Sequence, residues 1–175
     1  MNILILSDNN KTKAGEYKII GDQLRHIKNI LKLQVGQSIF AGELGGLMGH
    51  CPIIQERDDH MIIQANFDIA PPTPSPIKLI LALPRPKMLK RILRSVSMLG
   101  VKEIYLINTY KVEKSFWQTQ LLEEQKYERY FLEGLAQAKD TLMPSLHIRK
   151  RFKPFVEDDL PEIIRGTTPI VAHPG

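Results

Sequence analysis

The chain has 175 residues, 43% hydrophobic and 25% charged, the balance of an ordinary globular protein and not of a collagen-like or disordered one. Twenty-four basic against 19 acidic side chains leave a net +5, a surplus of the kind that suits a polyanionic partner. Cys51 is the only cysteine, so no intramolecular disulfide or cysteine-based zinc cluster can form, and a reducing, cytoplasmic setting is expected.

Residues 1–6 are apolar, and Ser7, Asp8, Asn9 and Asn10 follow at once. That run is too short for a signal-peptide core or a membrane span and suits a first β-strand over 2–6. Further strands are expected over 37–41, 47–55 and 60–67, with Gly42, Gly45, Gly46 and Gly49 punctuating the middle pair as a hairpin would. Asp22 is placed to cap a helix over 23–33, whose Leu24, Ile27, Ile30 and Leu31 recur at helical spacing. Arg25, His26, Lys28 and Lys32 decorate its other side. Together these elements predict a small barrel of short strands with a helix across one end.

Pro71, Pro72, Pro74 and Pro76 can neither donate ladder hydrogen bonds nor continue a helix, so 71–76 reads as a stiff extended linker. It also divides the charge. Residues 1–76 carry 7 basic and 8 acidic side chains, a net of −1, whereas 77–175 carry 17 and 11, a net of +6. Two units with different jobs are expected.

The second unit changes rhythm. Residues 77–83 are nearly unbroken apolar, as in a parallel strand buried on both faces. Pro86 opens a helix where its missing N–H costs nothing, with Met88, Leu89, Ile92, Leu93, Val96 and Leu99 as core face and Gly100 as its stop. A strand is expected over 103–107, a long helix over 119–138, a strand near 146–149, a short helix near 161–165 and a last strand over 169–172. This alternation predicts right-handed β-α-β units and a parallel sheet.

Signatures of metalloproteases, P-loop nucleotide binding, serine hydrolases and dinucleotide folds are missing. His26, His50, His60, His147 and His173 show no pair at metal-ligand spacing, so no metal is expected. The segment 78–94 holds Lys78, Arg85, Lys87, Lys90, Arg91 and Arg94 with no acidic residue. Lys87, Lys90, Arg91 and Arg94 share one helix face, where like charges repel unless a counter-charge is supplied. That face is either a solvated surface or a phosphate contact. A second cluster, Arg149, Lys150, Arg151 and Lys153, interleaves Phe152 and Phe155. Either the aromatics stack on unpaired bases, or both are core and Glu157, Asp158 and Asp159 neutralise the cations. Lys111, Glu113, Lys114, Ser115, Phe116 and Trp117 follow a strand's carboxyl end, the usual ligand side of a parallel sheet.

In this order the segments resemble the RsmE-type methyltransferases, which methylate N3 of a uridine in 16S, small-subunit ribosomal RNA. The matching pieces are Leu24-Arg25-His26-Ile27-Lys28-Asn29-Ile30-Leu31-Lys32 with Val35-Gly36, Ala82-Leu83-Pro84-Arg85-Pro86-Lys87, Leu99-Gly100-Val101, Glu113-Lys114-Ser115, and Glu133 with Gln137 ahead of Pro144. The branch is divergent: the family's Lys-Gly after Ala-Leu-Pro is here Arg85-Pro86, its Lys-Ala-Thr-Glu before Leu-Gly is Ser95-Val96-Ser97-Met98, and the Arg after its long-helix Gln is replaced within Ala138-Lys139-Asp140.

The resemblance implies an α+β then α/β architecture: a PUA-like RNA-binding β-barrel over 1–70, the linker 71–76, and a SPOUT-type domain with a parallel sheet over 77–175. It implies S-adenosylmethionine as cofactor, ribosomal RNA of the small subunit as partner, no membrane, and a homodimer in the intact protein. RNA contacts are expected at Arg25, His26, Lys32, Arg85, Lys87 and Lys114, and part of the cofactor site at His173, Pro174 and Gly175. The family's Gly-Pro-Glu-Gly-Gly loop and the segment after it, which build the cofactor knot, lie beyond Gly175. A fragment incomplete at its C-terminus and inactive by itself is therefore expected, and no general base is assigned. On the residues alone, a non-catalytic RNA-binding protein of the same fold and a small-molecule α/β enzyme stay open.

Overall fold

A computed structural model describes residues 2–13 and 15–172. Two sheets divide the chain at the proline-rich segment. The first has six strands in the order β1 (Leu4–Leu6), β4 (Ser38–Glu43), β5 (Met48–Glu56), β6 (Met61–Gln64), β3 (Glu16–Ile19) and β2 (Lys11–Lys13). β1 runs parallel to β4 and every other pair is antiparallel. Alternate residues point inward, as the two-residue period of a strand demands. Leu4, Leu6, Tyr17, Ile19, Ile39, Ala41, Cys51, Ile53, Met61 and Ile63 form one buried core, closed by Leu24 and Ile27 of the helical segment. The sheet is a curled half-barrel whose end strands share no ladder. An ion pair joins Lys11 on the end strand β2 to Glu43 on β4, the neighbour of the other end strand.

Strands β2 and β3 were not expected, since their charged residues Lys11, Lys13, Glu16 and Lys18 hide the alternation. The expected helix over 23–33 starts earlier and stops sooner. α1 (Gly21–His26) runs into a widened turn at Ile27–Leu31, and Lys32 ends it in a left-handed conformation at φ 52°. Asp22 is not the cap: Ile20 holds that position without a side-chain bond, and Asp22 instead pairs with Arg25 one turn on. The glycine-rich segment is a hairpin turn, as expected. At Gly49 a Cβ would stand 1.9 Å from the Asn66 carbonyl oxygen, so the close approach of β5 to the segment that follows β6 requires glycine there.

The linker is extended but anchored at both ends. Ile69 pairs with Met48, and the Ser75 amide donates to the Gly100 carbonyl at 2.9 Å.

The second sheet has three parallel strands in the order β7 (Lys78–Ala82), β8 (Glu103–Ile107), β9 (Ser145–Arg149). α2 (Pro86–Met98) and α3 (Glu124–Ala138) connect them and share one core with Leu79, Leu81, Ile104, Leu106 and Leu146. Consecutive order with right-handed crossovers puts both helices on one face. They approach closely at Ser97 and Gly134, where a Cβ would meet the Arg94 carbonyl at 2.4 Å, and the Ser97 hydroxyl donates to the Phe131 carbonyl at 2.9 Å. The other face, Ile80, Tyr105 and Ile107, is covered by Phe155 and Ile163 from a continuous helical stretch: α4 (Phe152–Pro154), a widened turn Phe155–Asp159, and α5 (Leu160–Ile164).

Several expectations are corrected. β7 has apolar residues on both faces because helices cover both, yet it is an edge strand and only half-buried. The long helix begins at Glu124, because two short 3-10 turns, Lys114–Gln118 and Gln120–Leu122, break at extended Thr119 and Glu123. Residues 169–172 form no strand, since a strand exists only by pairing and none of the described strands pairs with them. Ile170 and Val171 are each 88% exposed.

The two sheets meet along one seam. The amides of Asn2 and Ile3 donate to the Ala136 carbonyl at 2.8 and 3.1 Å, the Gly45 amide donates to the Thr141 carbonyl at 2.8 Å, and the Thr141 hydroxyl donates to the Gly46 carbonyl at 2.6 Å.

Candidate nucleic-acid interface

Parallel pairing puts the carboxyl ends of β7, β8 and β9 at one edge, with Ala82, Ile107 and Arg149 in register. Three loops leave from there, and they bring together residues far apart in sequence. Arg85 caps α2 and Lys87 stands in its first turn, both exposed, with Pro86 supplying the fixed φ that starts the helix. Lys111 and Lys114 come from the segment after β8, and Lys150, Arg151 and Lys153 from the segment after β9; all are exposed. Glu113 is the one acidic residue in the intervals 83–88, 108–118 and 150–154. The loops are tied at their roots: the Leu83 amide donates to Ile107, the Asn108 amide to Arg149, and the Trp117 indole N–H to Asn108 Oδ1 at 3.0 Å. Trp117 therefore covers the core edge and braces the loop.

The two basic clusters separate into neutralised and free cations. Arg94 pairs with Glu133 on α3, and Lys90 lies 5.8 Å from the Tyr130 ring centroid, so the far end of the α2 cationic face leans on its own neighbour. Lys87 and Arg91 form no ion pair among the described residues, and neither does Arg85. In the second cluster Arg149 pairs with Asp159 at 2.8 Å and Lys153 approaches Glu157 at 3.8 Å, whereas Lys150 and Arg151 stay unpaired among the described residues. Phe155 is core at 2% exposure and Phe152 is outside at 49%. The core reading thus holds for Phe155 and fails for Phe152.

The expected set on the first unit sits elsewhere. Arg25 is exposed and pairs locally with Asp22, and His26 is half-buried. Lys32 borders an open cleft of about 470 Å³ with Lys28, Leu33, Gln34, Val35 and Glu56. No hydrogen bond or ion pair among the described residues joins this set to Arg85, Lys87 or Lys114. His173, Pro174 and Gly175, the expected cofactor residues, lie outside the described residues.

Other chemistries find little support. Burial pushes the Cys51 thiol up from its ordinary value and keeps it a neutral core group. Among the described residues no cluster of three or more His, Cys, Asp or Glu could hold a metal ion, and no helix is long and apolar enough to cross a membrane. Sequence reasoning missed one exposed feature of this edge, Tyr110, which is 92% exposed between Thr109 and Lys111. Its position, just past a parallel strand's carboxyl end, was the available signal.

Known proteins agree with this architecture. The chain is 31% identical to Ribosomal RNA small subunit methyltransferase E of Treponema pallidum over 131 residues, 74% of this chain and 49% of that protein. It is 25% identical to Ribosomal RNA small subunit methyltransferase E 1 of Borreliella burgdorferi, over 87% of this chain and 63% of that one. It therefore spans about half the length of the first relative and under two thirds of the second. In fold it is similar to a probable rRNA-methyltransferase from Porphyromonas gingivalis, with a TM-score of 0.68 and 15% identity over 90% of this chain and 64% of the other. A Ribosomal RNA small subunit methyltransferase E from Neisseria gonorrhoeae, solved bound to S-adenosyl methionine, gives 0.62 at 12% identity over 86% and 62%. Residues 71–174 match the RNA methyltransferase domain family, and with more than half of its length so matched, the chain belongs to that family.

Proposed function

We propose that the whole protein transfers a methyl group from S-adenosylmethionine to N3 of a uridine in small-subunit ribosomal RNA, as a cytoplasmic homodimer. The observation that carries this reading is the cation-rich carboxyl edge of a parallel sheet inside the family's matched segment. Arg85, Lys87, Lys111, Lys114, Lys150 and Arg151, without ion-pair partners among the described residues, stand there with one acidic residue among the loops.

Residues 1–70 serve as a PUA-like RNA-binding unit, 71–76 as the linker, and 77–175 as part of a SPOUT-type domain. Arg85, Lys87 and Lys114 hold the RNA at the sheet edge by charge-assisted bonds to phosphate. Arg25, His26 and Lys32 hold its backbone on the first unit. Two sets of this kind on different units fit a large structured RNA better than a small molecule, which would need an enclosed pocket. Methylation at N3 requires that nitrogen to lose its proton, and cations fixed beside the uracil oxygens would stabilise the charge that develops.

The two described clefts do not suit the cofactor. Charged residues make up half the lining of one, Lys28, Lys32 and Glu56, and most of the other, Arg149, Lys150, Arg151, Asp158 and Asp159, and both are open. The cofactor, which supplies a methyl group on a sulfonium, is assigned instead to His173, Pro174, Gly175 and residues of the longer protein.

The test is methyl transfer by the longest product of the reading frame, with labelled S-adenosylmethionine and small-subunit rRNA, followed by mapping of the modified base. Label on uridine N3 supports the proposal. RNA binding without label in any base would leave a binding protein, and absence of RNA binding at modest salt would overturn it altogether.

A further inference from the structure

Tyr110 is the most exposed large apolar side chain of the described residues at 92%, and it does nothing for the core. Its segment is held in shape, since the Val112 amide donates to the Thr109 carbonyl at 3.0 Å and Trp117 braces Asn108. The ammonium of Lys111 lies 5.5 Å from the Tyr110 ring centroid, so a cation accompanies the ring at the surface. The adjoining loop after β9 presents a second exposed aromatic, Phe152, beside Lys150, Arg151 and Lys153. The two loops leave neighbouring strands that are hydrogen-bonded at their ends, Asn108 to Arg149 at 3.1 Å.

Exposed aromatic rings beside unpaired cations match one kind of polymer. A duplex hides its base faces and offers phosphates. A single strand offers both, and a ring with a free face gains by stacking on an unpaired base whatever its identity. A protein partner would meet a surface with a strong surplus of positive charge, which favours an anionic chain.

We infer that Tyr110 and Phe152 are stacking platforms for unpaired bases of a single-stranded RNA segment, whose phosphates lie on Lys111, Lys114, Lys150 and Arg151. This deepens the RNA reading above and rests on it. The platforms give the edge its preference for looped-out over paired RNA, a discrimination that charge alone does not make.

The experiment uses the full chain with a uridine-rich single-stranded RNA of about 12 nucleotides and a blunt RNA duplex of the same length as probes. Tyr110→Ala should weaken single-strand binding about tenfold, the cost of losing one stacked base, and leave duplex binding unchanged. Phe152→Ala should act in the same direction, and Tyr110→Phe should retain wild-type affinity because the ring, not the hydroxyl, stacks. The salt slope should stay unchanged in all three, since no phosphate contact is removed. Both residues are surface side chains, so thermal melts should match wild type. An equal loss on both probes, or none on either, overturns the inference. So does a fall in molecular mass by light scattering with RNA affinity intact, which would make the patch a contact between copies. Failure of the wild-type chain to bind either RNA would instead sink the RNA reading on which this rests.

Discussion

The two edges of the three-stranded parallel sheet are built from similar residues and treated in opposite ways. At the amino edge every conspicuous polar group finds a partner. Lys102 donates to Asp140 and to the Leu142 carbonyl, both at 2.5 Å, Asp140 also accepts from the Leu142 amide at 2.8 Å, and Asp140 is 1% exposed. The first unit docks on this side through Thr141, Gly45 and Gly46, and Asn2 donates from its side chain to the Gln137 carbonyl at 2.7 Å. At the carboxyl edge, Arg85, Lys87, Lys150 and Arg151 have no such partners among the described residues, and Tyr110 stands in solvent. Self-satisfied polar groups stabilise a fold, whereas unsatisfied ones of a single sign are free for a ligand. On the function proposed above, the difference separates the scaffold side of the sheet from its working side.

Substitutions at the two edges should therefore move different observables. The largest effect is expected for Asp140→Ala, which leaves Lys102 without its carboxylate in a site where that lysine is mostly covered. Breaking a buried pair from one side costs about 3–5 kcal/mol, so the melting temperature should drop by roughly 10 °C for a chain of this size. RNA salt dependence should be unaltered once folding is allowed for. A melting temperature within a degree or two of wild type would show that the amino edge is not the structural one.

Next in size, Arg85→Ala combined with Lys87→Ala should weaken RNA binding by about tenfold at physiological salt and reduce the slope of log K against log salt by about 1.4, or about 0.7 per single-strand phosphate contact. Stability should stay within about 0.5 kcal/mol, because neither side chain forms an ion pair among the described residues. An unchanged slope in a salt titration would remove these two residues from the interface. A smaller effect is expected at the seam. Thr141→Val deletes the bond to the Gly46 carbonyl and should cost about 1 kcal/mol in denaturant unfolding, with no change in RNA affinity.

The amino-edge arrangement was the part least legible in the sequence. Pro86 at the start of α2 and the strand over 103–107 follow from local chemistry and lie where they were expected, whereas the strand expected over 169–172 does not form. Arg85, Lys87 and Lys114 could be read as sharing an edge, because a parallel sheet gathers the loops after its strands. The Thr141–Gly46 bond could not, since it joins residues 95 positions apart through groups that any turn might carry. β2 and β3 were missed for a related reason: Tyr17 and Ile19 face inward, but the charged residues between and before them mask the period. The pairing of Arg94 with Glu133 was equally hidden, because a helix-surface cation shows its counter-charge only when the neighbouring helix is in place.

The smallest effect concerns Tyr105, which lies on the middle strand between the two edges, stacked on His147 and under the C-terminal helices. Burial first, and then the hydrogen bond its hydroxyl donates to Glu103 at 3.1 Å, hold its phenol above the usual tyrosine value. The folded chain thus keeps a proton that the unfolded chain gives up sooner. The associated stability is complete below the ordinary value of about 10 and declines as pH rises through it toward the folded one. Tyr17 and Tyr127 are raised by burial with the same sign. Denaturant unfolding measured from pH 9 upward should show wild-type stability falling above about pH 10, and Tyr105→Phe should flatten that fall in part. A steeper decline in the variant would mean that Tyr105 ionises more easily in the fold than out of it. The middle of the sheet would then be open to solvent, and a divide between a sealed edge and an open one would lose its basis.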